Sequence, residues 1–171
     1  MIEIKGNLFN EACDAFCITT NGFRKSDGSC VMGRGCAKQM LERMPSIASR
    51  LGKLIEKWGN RAMCIGVMDG KTIVSYPVKP VFEICNAARS NAVQHMQGKF
   101  KEGDSIPGWA CVADTAIIVK SAHELVAMAN KFGWQTVMIP RPGCGAGELG
   151  WDTVKPLLEV ILDDRFIAIT F

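Results

Sequence analysis

The chain has 171 residues, a mass of 18.7 kDa and a formal net charge of +3. That length fits one domain of ~100–200 residues, and such a domain buries roughly 70% of its unfolded surface, so no disulfide or metal staple is required. With 48% hydrophobic and 22% charged residues the chain is not disordered, and +3 excludes a polyanion-coating protein driven by bulk charge.

The first apolar run of strand character is 2–5. Met1-Ile2-Glu3-Ile4-Lys5-Gly6 lacks the basic-then-apolar layout of a signal peptide, so a cytoplasmic chain is expected. No run approaches the ~20 apolar residues of a membrane span. A second strand is expected at 14–19. Ala37, Met40, Leu41 and Met44 then follow helical spacing, and Ile47, Leu51, Leu54, Ile55 and Trp58 form one face of a second helix. Strands are expected at 63–68 and 72–77. Ile118, Ala122, Leu125, Ala129 and Phe132 predict a long third helix, followed by a strand at 135–139. Val154, Leu157, Leu158, Ile161 and Leu162 predict a fourth, with Asp152 as its cap and Pro156 in its first turn. The last strand is expected at 166–171. Gly59 and Gly133 follow helices, where a left-handed terminal residue is expected. Strands alternating with helices predict an α/β domain, its sheet largely parallel or mixed and covered by helices on both faces.

Segment 80–112 breaks this rhythm with Pro80, Gly98, Gly103, Pro107 and Gly108. Two readings are open: an insertion over the functional site, or a short buried helix. Trp109 is read as core-filling, with an aromatic lid face toward a base or ribose as the alternative. His123 is read as a surface or boundary histidine. The eight cysteines (13, 17, 30, 36, 64, 85, 111, 144) include no CxxC pair and are read as reduced, buried small hydrophobes. Neither His95 nor His123 joins them at ligand spacing, so no metal is expected, and no cofactor either.

Charge is uneven. Residues 21–61 hold nine Lys/Arg and three acids, whereas 102–171 hold five Lys/Arg and nine acids. Solvated helix faces and a positive field around an anion are both compatible with this. The glycines discriminate. Six of the seventeen (33, 35, 143, 145, 147 and 150) fall in two loops that leave strand ends and open into helices. Glycine admits close backbone approach, and the free N–H groups of a first helical turn attract anions. Two such loops predict a diphosphate held between them. Neither is GxxxxGK[ST], and Gly33-x-Gly35 lacks the third glycine and acidic partner of a dinucleotide fingerprint.

The residues Gly6-Asn7-Leu8-Phe9, Asn21, Met32-Gly33-Arg34-Gly35-Cys36-Ala37, Tyr76-Pro77-Val78-Lys79 and Pro142-Gly143-Cys144-Gly145-Ala146-Gly147-Glu148-Leu149-Gly150-Trp151 occur in that order. Together they resemble a macro domain. The likeness is to the branch that holds the human terminal ADP-ribose protein glycohydrolase and the antitoxin of DNA-ADP-ribosylating toxin–antitoxin pairs. It implies a three-layer α/β fold with a mixed central sheet, a single macro domain over 1–171 with an insertion at 80–112, and ADP-ribose or an ADP-ribosylated protein or DNA as ligand. A monomer and a phage or bacterial host are expected with it.

The resemblance also implies a site. Asn7 and the Leu8 amide would meet the adenine, and Asn21 the distal ribose. Met32, Gly33, Arg34, Gly35, Cys36 and Ala37 would lie under the pyrophosphate and distal ribose. Gly143, Cys144, Gly145, Ala146, Gly147, Glu148 and Leu149 would wrap the other side of the diphosphate, with Ser121 on the substrate-side helix. Lys79 would be the catalytic residue, because in this branch a lysine at that strand end attacks the distal ribose C1″ or otherwise activates it. A partly desolvated lysine has a lowered pKa and serves as nucleophile or base. The human hydrolase carries Asp where this chain has Gly147, whereas toxin-linked members have glycine there. Residues 22–29 form an extra stretch, read as a solvated excursion, with delivery of Arg24 and Lys25 to a phosphate as the alternative.

The implied function is ADP-ribose binding with hydrolysis of an ADP-ribosyl linkage on a nucleobase or protein side chain, or of ADP-ribose 1″-phosphate. A non-catalytic ADP-ribose-binding module is the first alternative. A nucleic-acid-binding protein using the basic 21–61 region is the second.

Overall fold

The computed structural model describes residues 1–170; Phe171, the last residue of the expected strand 166–171, lies outside the described residues. The elements are β1 (Ile2–Lys5), β2 (Ala15–Thr20), α1 (Gly35–Arg43), α2 (Ile47–Trp58), β3 (Met63–Met68), β4 (Lys71–Pro77), β5 (Phe82–Ile84), β6 (Ser105–Pro107), α3 (Thr115–Phe132), β7 (Val137–Pro140), α4 (Trp151–Glu159) and β8 (Phe166–Thr170). The main sheet runs β1-β8-β7-β2-β4-β3. Neighbours from β1 to β4 are parallel, and β3 closes the far edge antiparallel to β4. The mixed sheet between helix layers is the expected three-layer α/β arrangement.

Side-chain alternation in β2 shows why both faces need cover. Ala15 and Cys17 pack into one core with Ile118 and Leu125 of α3 and Val154 and Leu158 of α4. Phe16 and Ile18 point the other way, onto Ala37 and Met40 of α1 and Ile47 and Leu51 of α2. The β3–β4 turn is Asp69-Gly70 with φ of 52° and 76°, the pair of left-handed residues that a two-residue hairpin requires.

Several local expectations change. Strand β4 starts one residue before the expected 72–77, at Lys71, and ends with it at Pro77; Tyr76 is buried and its hydroxyl donates to Ile118 O at 2.8 Å. Asp152 does not cap α4; Gly150 holds that position, Asp152 sits in the first turn, and Pro156 lies inside the helix. Phe132 leaves the α3 core face and stacks in the open on Trp134 at 5.2 Å. Gly133 is left-handed as expected, whereas Gly59 combines φ 79° with an extended ψ of 179°. All eight cysteines are free.

Segment 80–112 contains no α-helix. It pairs β5 with β6 as a separate two-stranded sheet and adds 3-10 helices at Gln94–Lys99 and Gly108–Ala110. Cys85, Ala92, Ile106, Ala110 and Cys111 form its own small core. No helix of the described residues is long and apolar enough to cross a membrane.

Candidate functional site

A cavity of about 760 Å³ opens at the carboxyl ends of the parallel strands. Its floor is Thr19 and Thr20 from β2, Lys79 beyond β4, Pro140 from β7 and Thr170 from β8. This is where open α/β sheets bind ligands, because loops diverge there and helix N-termini point inward. One wall is the 31–37 loop, the facing wall is 143–151, and His95 and Trp109 reach over from segment 80–112.

Both walls feed helices that lack a side-chain cap. Arg34 precedes α1 and Gly150 precedes α4, and neither offers a capping side chain. No side chain therefore occupies the first N–H groups of either helix, which can meet an anion, although in α4 the Thr153 N–H is already taken by Gly150 O at 3.1 Å. A Cβ built on Gly33, Gly35 or Gly145 would meet nothing within 4 Å, so these glycines face the open cavity. Gly147 differs. A Cβ there would come 2.5 Å from Gly143 O and 2.6 Å from the Ala113 Cβ, so no carboxylate-bearing residue fits at this position without moving the loop.

Lys79 sits at the β4 end of the floor and is only 5% exposed. Its Nζ donates to Ala146 O at 2.8 Å and to Trp109 O at 3.2 Å. Burial pushes its amine down from 10.5 to about 8; the Cys111 thiol and the Glu148 carboxylate pull it partly back, and Arg34 pushes it further down. At about 8, roughly a tenth of the amine is neutral at pH 7, and the neutral amine is the form that acts as a nucleophile.

The opposite end is built by Glu3. Its carboxylate accepts from Arg141 Nη2 at 3.0 Å, Trp151 Nε1 at 3.0 Å and Lys155 Nζ at 2.5 Å. The Lys155 and Trp151 hydrogen bonds hold this carboxyl below its usual range. The Arg141 guanidinium lies 5.0 Å over the Trp151 ring, and both line the cavity. At the mouth, Arg34 Nη2 lies 3.0 Å from His95 Nε2.

The structure gathers most of the sequence-derived positions. Asn21, Lys79, Gly143, Cys144, Gly145 and Ala146 line the cavity, as do 32–37, Gly147 and Leu149. Four positions do not. The Asn7 side chain accepts from Phe9 N at 3.0 Å, and Leu8 is buried in the core against α1 and α2. The Ser121 hydroxyl is buried and donates to Pro77 O at 2.8 Å. Glu148 turns away to the Gln94 amide.

The extra stretch 22–29 delivers no cation to the cavity: Arg24 pairs with Glu56 at 3.1 Å, and Lys25 is exposed outside the lining. Trp109 is not core-filling; it is 37% exposed and lines the cavity. Sequence reasoning missed Arg141 and Trp151 as lining residues, although Arg141 directly follows a strand and Trp151 opens a helix. His95 carries no local signal, since only the fold of 80–112 brings it to the mouth.

The fold defines the class: the chain has the macrodomain fold. Among solved structures it is similar to the macrodomain of Mycobacterium tuberculosis DarG, with TM-score 0.68 and 21% identity over 98% of this chain and 95% of that one. The macrodomain of Thermus aquaticus DarG gives TM-score 0.68 and 19% identity over 99% and 97%. Thermosipho africanus DarTG in complex with ADP-ribose gives TM-score 0.65 and 16% identity, covering 99% of this chain and 42% of that one. No protein-family model and no curated protein matches the sequence.

Proposed function

We propose that the cavity binds ADP-ribose and that Lys79 hydrolyses an ADP-ribosyl linkage there, on a nucleobase, a protein side chain or a 1″-phosphate. The buried amine of Lys79, between two glycine loops with uncapped helix N-termini, carries this reading. A DarTG structure of the same fold in complex with ADP-ribose supports the ligand. The diphosphate fits the free amides of the two loops, and the distal ribose fits the Lys79 end. The neutral amine attacks C1″ as the glycosidic bond breaks; the leaving group departs with the electron pair and takes up a proton. Water then cleaves the lysine–C1″ bond and restores the amine, so one water is consumed per turnover.

Calorimetric titration with ADP-ribose tests binding, and turnover of ADP-ribosylated DNA, ADP-ribosylated protein and ADP-ribose 1″-phosphate tests chemistry. Lys79→Ala is expected to lower turnover about 100-fold or more while ADP-ribose still binds. A wild type that gives no heat and no thermal shift with ADP-ribose overturns the reading. The second reading, a binding module without turnover, is favoured by Gly147, where a carboxylate has no room. It predicts binding with wild-type inertness on all three substrates.

A further inference from the structure

We propose that Glu148 is a positioning residue that latches segment 80–112 over the cavity and so keeps Lys79 out of water. This rests on the reading that Lys79 carries the chemistry.

Three observations converge. Lys79 Nζ bridges two carbonyls, one from the 143–149 loop (Ala146) and one from the covering segment (Trp109). Two residues beyond Ala146, both Glu148 carboxylate oxygens accept the Gln94 N–H, at 2.9 and 3.1 Å. The same loop and the same segment are thus joined twice. Among the described residues, the hydrogen bonds tying 86–104 to the chain outside 80–112 are this one and Arg34–His95.

The loop is also shaped to present this carboxylate. Glu148 holds φ 63°, a left-handed conformation strained for a side chain with a Cβ, and such strain persists where surrounding contacts enforce it. Glu148 N–H to Gly145 O and Leu149 N–H to Gly143 O, both 3.0 Å, enforce it here. Position 147 has no space for a side chain.

The groups facing Lys79 are the Cys111 thiol, the Glu148 carboxylate and Arg34, and burial outweighs all three. Loss of the latch and loss of the Glu148 charge therefore have opposite effects. Releasing the segment wets the amine and raises its midpoint. Removing the negative charge while keeping the segment closed lowers it.

The test needs no ligand, so it is independent of whether ADP-ribose binds. It reads the pH dependence of Lys79 acylation by an amine-reactive reagent, with Lys79→Met as blank, and amide exchange over 94–97. In Glu148→Ala the midpoint is expected to move from about 8 toward 10.5, with faster exchange at Gln94. In Glu148→Gln, whose carboxamide oxygen still accepts the Gln94 N–H, the midpoint stays or falls and exchange remains at the wild-type rate. Gln94→Pro removes the donor at the first position of a 3-10 helix, where proline is tolerated, and is expected to mirror Glu148→Ala in the midpoint and in amide exchange over 95–97. It also serves if Glu148→Ala does not fold. An unchanged midpoint and unchanged exchange in Glu148→Ala or Gln94→Pro overturns the proposal. So does identical behaviour of Glu148→Ala and Glu148→Gln. Loss of turnover in Lys79→Ala alongside an unmoved midpoint in Glu148→Ala would sink the latch and leave the Lys79 chemistry standing.

Discussion

Lys79 is buried as an amine whose proton is held more weakly in the folded chain than in the unfolded one. Between about pH 8 and pH 10.5 the unfolded state therefore carries more protons, and stability rises with pH across that window. Other lysines and cysteines titrate there as well, so the comparison with Lys79→Met isolates the effect. In urea unfolding, the stability of wild type minus that of Lys79→Met is expected to grow from pH 8 to pH 10.5 and to stay level from pH 6 to 7.5. Gly147 makes the second prediction at this scale. Its hydrogen is the largest substituent that clears Gly143 O and Ala113, so Gly147→Ala is expected to cost about 1–3 kcal/mol, read as a lower denaturant midpoint.

At the scale of elements, two helices show how packing overrides intrinsic preference. Gly52 lies within α2, where replacing glycine by alanine ordinarily stabilises by about 1 kcal/mol. A Cβ there would sit 1.8 Å from Gly28 O of the 22–29 stretch, so Gly52→Ala is expected to destabilise instead, by thermal unfolding. That contact also explains why the stretch folds back on α2 rather than extending into solvent. Asp114 caps α3 by accepting from Ala116 N at 2.7 Å, and its own N–H donates to Val78 O at 2.9 Å. It therefore ties the helix start to the residue before Lys79. Asp114→Ala is expected to cost about 1 kcal/mol, measured as a lower Tm.

Across the whole molecule, the cavity spans β8, β7, β2 and the end of β4 and is covered by a segment from elsewhere in the chain. A ligand held there ties all these parts to the folded state. At about 100 times its Kd, ADP-ribose is expected to stabilise by about 2.7 kcal/mol, a rise in Tm of roughly 5–10 °C for a chain of this length. The nucleic-acid reading predicts instead a shift produced by unmodified DNA or RNA and abolished by salt. In the basic region, Arg24 and Lys38 already pair with Glu56 and Glu42.

The amino-acid order by itself determined the alternation of strands and helices, because apolar spacing sets which faces must be buried. It also placed the two glycine loops and the strand end bearing Lys79, since turn chemistry and helix starts are written locally. It could not show that the Ser121 hydroxyl is spent on Pro77 O, that Asn7 closes its own turn, or that Gly150 rather than Asp152 starts α4. Those outcomes depend on which backbone groups lie nearby after folding. Segment 80–112 was least legible because its apolar residues follow no long periodicity and part of them close a small core of their own. Only the tertiary structure brought His95 and Trp109 to the cavity, stacked Arg141 on Trp151 under Glu3, and set Glu148 against Gln94. The glycines are thus divided by the fold: some face open space for an anion, and others are glycine because the chain itself passes too close for a side chain.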